Sequence, residues 1–141
     1  MTPTKPLQRL STRGLIAIHN ELLARYGGHS REVEEGKLDL ALVRAVSFGH
    51  DGKRDTRARI AAGYGWGILF NRPFAEGNER MALAALVTFL EMYGLKWECS
   101  EVEETAMVQD AAAKKLNENE WRKWVVEHVG RISKDLAISS D

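Results

Sequence analysis

A chain of 141 residues with 44% hydrophobic content is long enough to bury one core and too short for two comfortable domains, so a single domain over 1–141 is expected. Lysine plus arginine number 20 and aspartate plus glutamate number 20, and this zero net charge excludes the global field that draws a protein to nucleic acid or an anionic membrane. A single cysteine, Cys99, excludes an intramolecular disulfide and a cysteine-rich zinc site; it reads as a small buried hydrophobe in a reducing compartment.

The opening MTPTKPLQRL has no apolar signal-peptide core, and no apolar run is long enough to span a bilayer, so a cytoplasmic protein is expected. Ser11 and Thr12 offer N-caps to a first helix in which Leu15, Ile18, Leu22, Leu23 and Tyr26 recur at helical spacing until Gly27-Gly28 stops it. A charged link from His29 to Gly36 leads to a second apolar stripe, Leu38, Ala41, Leu42, Ala45 and Val46, which fades by Phe48-Gly49. The stretch from Gly49 to Asp55 is polar and without periodicity, an exposed loop of the kind that carries function or merely connects.

From Thr56 to Phe70 two patterns compete. Gly63, Gly65 and Gly67 alternate with Tyr64, Trp66 and Ile68 as in a strand, whereas the length and the small residues Ala58, Ala61 and Ala62 favour a helix that approaches its neighbours closely. Length decides for helix. The next run, about Gly77 to Tyr93, has almost no polar face beyond its first turn, which predicts a buried central helix. Lys96 to Glu98 reads as a short extended piece. Ser100 with Glu103, and Asn117 with Glu120, have capping-box spacing and open two further helices. Trp121, Trp124, Val125 and His128 share one face of the last of these and point Trp121 and Trp124 to the core. Flexible ends are expected at about 1–10 and 133–141.

Function is placed in nine residues, Arg72-Pro73-Phe74-Ala75-Glu76-Gly77-Asn78-Glu79-Arg80, which set a Pro-Phe turn and an acid-Gly-Asn step before the long apolar run. A turn feeding a helix start leaves backbone N–H groups unpaired, and such a start attracts phosphate. The same residues also suit an ordinary loop and helix N-terminus, with Glu76 and Glu79 complementing the dipole.

The string resembles the Fic/Doc signature, His-Pro-Phe-x-(Asp/Glu)-Gly-Asn-(Gly/Lys)-Arg: Pro73, Phe74, Glu76, Gly77, Asn78 and Arg80 match, and Arg72 and Glu79 do not. Arg25-Tyr26-Gly27-Gly28, Glu35-Gly36-Lys37-Leu38 and Ala41-Leu42-Val43-Arg44 upstream, with Ala82-Leu83 and Phe89-Leu90 to Gly94 downstream, are similar to Doc toxins, so the resemblance runs from about Ile16 to Trp97. It implies an all-α compact bundle of about six helices around a buried central helix, and an enzyme that moves part of ATP onto a protein hydroxyl. Fic members transfer AMP, and Doc members transfer a phosphate to elongation factor Tu, arrest translation and are restrained by a small antitoxin. By resemblance Glu76 ligates Mg²⁺, the Gly77 and Asn78 amides form the anion hole, Arg80 holds a phosphate, and Phe74 anchors the loop. The loop around His50 to Arg54 corresponds to the flap that docks the target.

The two departures have chemical consequences. Arg72 stands where the family has its general base, and a guanidinium with a pKa above about 12 accepts no proton. Losing a positioned base costs about 10² to 10⁴ in rate. Glu79, a carboxylate in the first turn, repels a phosphate charge about 4 Å away by about 4 kcal/mol at an effective dielectric near 20, more than the about 0.3–1 kcal/mol it gains from the helix dipole. Pairing of Arg72 with Glu79 across the site unites both changes. Of the histidines, His19, His29, His50 and His128, none lies in the signature; His50 in the flap is either an alternative base or a solvated residue. Lys53, Arg54, Arg57 and Arg59 form a local basic cluster that reads as a solvated helix start or as a meeting place for phosphate or an acidic partner.

Overall fold

The computed structural model describes residues 9–49 and 56–131. Among them are six helices, α1 (Thr12–Tyr26), α2 (Glu35–Ser47), α3 (Thr56–Asn71), α4 (Asn78–Met92), α5 (Glu101–Ala112) and α6 (Glu118–Glu127), with a ribbon of β1 (Leu95–Trp97) and β2 (Val129–Arg131). This is the all-α bundle expected from the sequence, and no described helix is long and apolar enough to cross a membrane. The expected flexible ends, and the loop from His50 to Asp55 with Lys53 and Arg54, fall largely outside the described residues. Leu10 falls inside, and its N–H donates to the Tyr64 hydroxyl at 3.0 Å, so the chain is already docked there.

The glycines of α3 explain its double pattern. Gly63 and Gly67 lie four residues apart on the face toward α2, where an added Cβ would come within 2.7 Å of Ala45 Cα and 2.9 Å of Ala41 Cα. Gly65 faces the other way, and a Cβ there would lie 2.9 Å from the Trp121 ring of α6. The alternation marks close approach on two sides of a helix, with each glycine giving up about 1 kcal/mol of helix propensity for it.

That closeness also corrects the choice of central helix. Every residue from Ile60 to Leu69 is buried, and α3 packs against α2, α4 and α6. In α4 the buried set is one face, Asn78, Met81, Ala82, Ala85, Leu86, Phe89 and Leu90. Leu83 and Val87 on its other face are only partly buried, because they line a groove of about 960 Å³ between the end of α1, α4 and α5. An apolar row therefore signalled a groove as well as a core.

The caps stop and start the helices where their side chains predict. Ser11 accepts the Gly14 N–H at 2.9 Å and Ser100 accepts the Glu103 N–H at 3.2 Å. Asn117 and Glu120 satisfy each other's backbone N–H in a full capping box. The extended piece begins one residue earlier than expected, and its partner β2, unforeseen in the sequence, pairs antiparallel with Trp97 opposite Val129. Trp121 and Trp124 are core residues as expected, and the Trp121 indole N–H reaches the Ala62 carbonyl at 2.9 Å, which ties α6 to α3.

Candidate functional site

The signature loop is built from its backbone outward. Helix α3 ends at Asn71, and Arg72 turns the chain in left-handed backbone (φ 47°) while its N–H still reaches the Ile68 carbonyl at 2.9 Å. The chain then runs beside the segment after α1: the Glu34 N–H donates to Pro73 O at 2.8 Å and the Ala75 N–H to Glu32 O at 3.1 Å, around a bridge of Val33 with Phe74. Gly77 at φ 80° swings the chain into α4, a conformation in which a side chain would be strained.

Two buried polar side chains hold this turn. Asn78 clamps Phe74 at both ends, its Oδ1 accepting the Phe74 N–H at 3.1 Å and its Nδ2 donating to the Phe74 carbonyl at 2.9 Å. His19 of α1, only 2% exposed, stacks on the Phe74 ring with centroids 4.0 Å apart, and its Nε2 donates to the Glu76 carbonyl at 2.9 Å. Phe74 is thus anchored in the core. His19 was missed in the sequence because it lies outside the signature. The available signal was its place on the apolar side of α1, four residues after Leu15 and four before Leu23.

Glu76 serves the neighbouring loop. Its Oε1 accepts backbone N–H groups from His29 and from Ser30, the latter at 2.9 Å. The Ser30 bond first, and then the His29 bond, lower its pKa below the ordinary carboxylate value. Gly28 permits this approach, since a Cβ there would lie 2.8 Å from Glu76 Oε1 and collide with Leu23. One oxygen of the carboxylate proposed for a metal is therefore occupied by amides, and the group reaches a cavity of about 320 Å³ that Gly77, Glu79, Arg80 and His19 also line.

The rim of the loop is different in kind. The first-turn N–H groups of Asn78, Glu79 and Arg80 precede the first intrahelical bond, from Met81 N–H to Gly77 O at 2.9 Å, and no side chain caps the start of α4. Arg80 lies over the Tyr26 ring, 4.3 Å from its centroid, which holds a cation beside those amides. Tyr26, expected on the buried stripe of α1, is instead 57% exposed because it forms this platform. Arg72 and Glu79 do pair, Nη1 to Oε1 at 3.4 Å, with both side chains substantially exposed. Of the basic cluster, Arg57 stacks over Tyr93 at 4.5 Å, so that cation is held against a ring.

The loop is a turn held by buried side chains that presents amides and a guanidinium at a helix start, with an exposed carboxylate–guanidinium pair of Glu79 and Arg72 beside it. A search of curated proteins returns no match to this chain. The Fic/DOC family model matches residues 9–90, which is more than half of the 141 residues and includes the whole loop. The chain belongs to the Fic/DOC family.

Proposed function

We propose that the chain is a Doc-like toxin of a toxin–antitoxin pair that transfers a phosphoryl or AMP group from ATP to a hydroxyl of a translation factor such as elongation factor Tu, in the cytoplasm, with its transfer step held far below a histidine-bearing relative. The observation that carries this reading is a helix start with uncapped amides and a stacked arginine, Arg80, on a loop that keeps its family framework but has Arg72 at its base position. ATP bound with Mg²⁺ supplies the group to be moved and the charge neutralisation for it. The chain's own part is to hold the phosphates with Gly77, Asn78 and Arg80, and to orient the metal with the side of Glu76 that the amides leave. Arg72 takes no proton from the target hydroxyl.

A second reading, a binding protein of the same fold that has left catalysis, is favoured by the Arg72–Glu79 pair, which engages the carboxylate that lines the cavity at the start of α4. Under either reading the groove along α4, floored by Leu83 and Val87 with Arg25, Glu91 and Glu101 around it, suits a small antitoxin. Restoring the base separates the two. Arg72→His, alone and with Glu79→Lys, is incubated with elongation factor Tu and ATP labelled at the α or the γ position. The enzyme reading expects label transfer about 10² to 10⁴ times that of the parent chain, from γ for a kinase and from α for an AMP transferase. Absence of transfer from both restored chains overturns it and leaves the binding protein.

A further inference from the structure

Beyond the family match, the chain brings Cys99, Glu103 and His128 together where β1, the first turn of α5 and the end of α6 meet. One ligand atom from each, sulfur, carboxylate oxygen and ring nitrogen, lies within 4.8 Å of the others. We propose that these three residues bind a divalent transition metal, Zn²⁺ being the chemical best fit, at a site separate from the signature loop.

The orientation of His128 argues first. Its Nδ1 is 2.8 Å from the Trp124 carbonyl, which only accepts, so Nδ1 carries the proton and Nε2 is directed at the cluster. That Nε2 lies 2.9 Å from Glu103 Oε2. A metal-bound histidine characteristically donates its other ring N–H to a backbone carbonyl, which fixes the tautomer and aims the free electron pair. Glu103 has its own support: the Trp124 indole N–H donates to its Oε2 at 2.7 Å. A single residue, Trp124, therefore orients two of the three ligands.

The donor set argues second. One thiolate, one imidazole and one carboxylate match zinc's preference, with the fourth tetrahedral position left to water. Bond lengths of about 2.0–2.3 Å put tetrahedral ligand atoms about 3.5 Å apart, so atoms that lie within 4.8 Å of one another must even out, the Nε2–Oε2 pair opening from 2.9 Å as the sulfur draws in. Glu103, whose side chain is 46% exposed, would make this adjustment by turning about the oxygen that the Trp124 indole N–H holds. Binding exchanges two protons for the metal: the S–H proton and the proton shared in the 2.9 Å contact of His128 Nε2 with Glu103 Oε2 leave to solvent, and the freed sulfur and nitrogen pairs form the bonds to the metal. Burial and the carboxylates of Glu103 and Glu104 otherwise keep the thiol protonated, with its pKa raised to about 11. The ion would join three chain segments and brace α5, which supplies Glu101, Thr105 and Val108 to the wall of the large groove.

Titration of the chelator-treated full chain, without a histidine tag, with Co²⁺ and then Zn²⁺ tests the site. One equivalent of Co²⁺ should give a thiolate-to-cobalt charge-transfer band that Zn²⁺ removes. The band should be lost in Cys99→Ser, and Co²⁺ affinity should fall at least about tenfold in His128→Gln and in Trp124→Phe while His29→Gln, an exposed histidine away from the cluster, leaves it unchanged. If the variants unfold, the parent chain still decides: Zn²⁺ should slow alkylation of Cys99 by iodoacetamide. No charge-transfer band, a band that persists undiminished in folded His128→Gln, or an alkylation rate indifferent to Zn²⁺ overturns the proposal.

Discussion

The floor and the rim of the signature loop are built by opposite means. The floor is Phe74, Asn78 and His19, each almost fully buried and each engaged through ring stacking or hydrogen bonds at 2.9–3.1 Å. At the rim, Arg72 and Glu79 meet at 3.4 Å with side chains 51% and 40% exposed. Arg72 and Glu79 thus meet where solvent reaches both side chains. Phe74 and Asn78 sit at the floor, where a substitution would remove the contacts that hold the turn. The buried set that holds the turn and the exposed pair at its edge are therefore different residues, built from different interactions.

Breaking the floor should have the largest effect. Phe74→Ala removes the ring between His19 and the core and should cost about 3–5 kcal/mol in urea unfolding. Asn78→Ala leaves the Phe74 N–H and carbonyl without their partners and should cost about 1–3 kcal/mol. A loss below about 0.5 kcal/mol for both would show that the turn is held by its backbone bridge to Val33 alone, and that the floor is no more a framework than the rim.

The rim should respond far less. A double-mutant cycle of Arg72→Ala and Glu79→Ala should give a coupling of about 0.2–1 kcal/mol, since exposed pairs gain little against solvent and side-chain entropy. It should shrink further in 1 M salt, where the screening length is about 3 Å. A salt-insensitive coupling above about 2 kcal/mol would place the pair among the structural supports and erase the distinction between floor and rim.

How much of this was legible in the sequence follows the same division. Helix boundaries were readable because Ser11, Ser100 and Asn117 announce them locally, and the Arg72–Glu79 pair because two opposite departures seven residues apart flank one turn. What escaped required tertiary neighbours. His19 is 57 positions from the carbonyl it binds, and Glu76 is 46 from Ser30. Tyr26 obeyed helical periodicity and was still exposed, because a ring at the end of a stripe serves a cation as well as a core. The three glycines of α3 looked like strand alternation because neighbours on opposite sides, α2 and Trp121, each required small residues.

The smallest effect sharpens the comparison at Glu76, where floor and rim join. The folded-state pKa of its carboxyl is lowered from an ordinary 4.5 by the Ser30 and His29 N–H groups, so folding favours the ionised form. Whatever stability this gives is fully present above 4.5 and is lost as pH falls through the depressed value; the window thus lies on the acid side of 4.5. Ser30 is the cleaner reporter, because the His29 amide also senses its own ring. In a ¹H–¹⁵N titration the Ser30 amide should keep its downfield shift through pH 4.5 and lose it only below, with the shift insensitive to pH in Glu76→Gln. A midpoint at or above 4.5 would mean that the carboxylate is not held by these amides in solution. Both its oxygens would then be available to a metal at the start of α4, and Glu76 would belong with Arg72 and Glu79 on the rim.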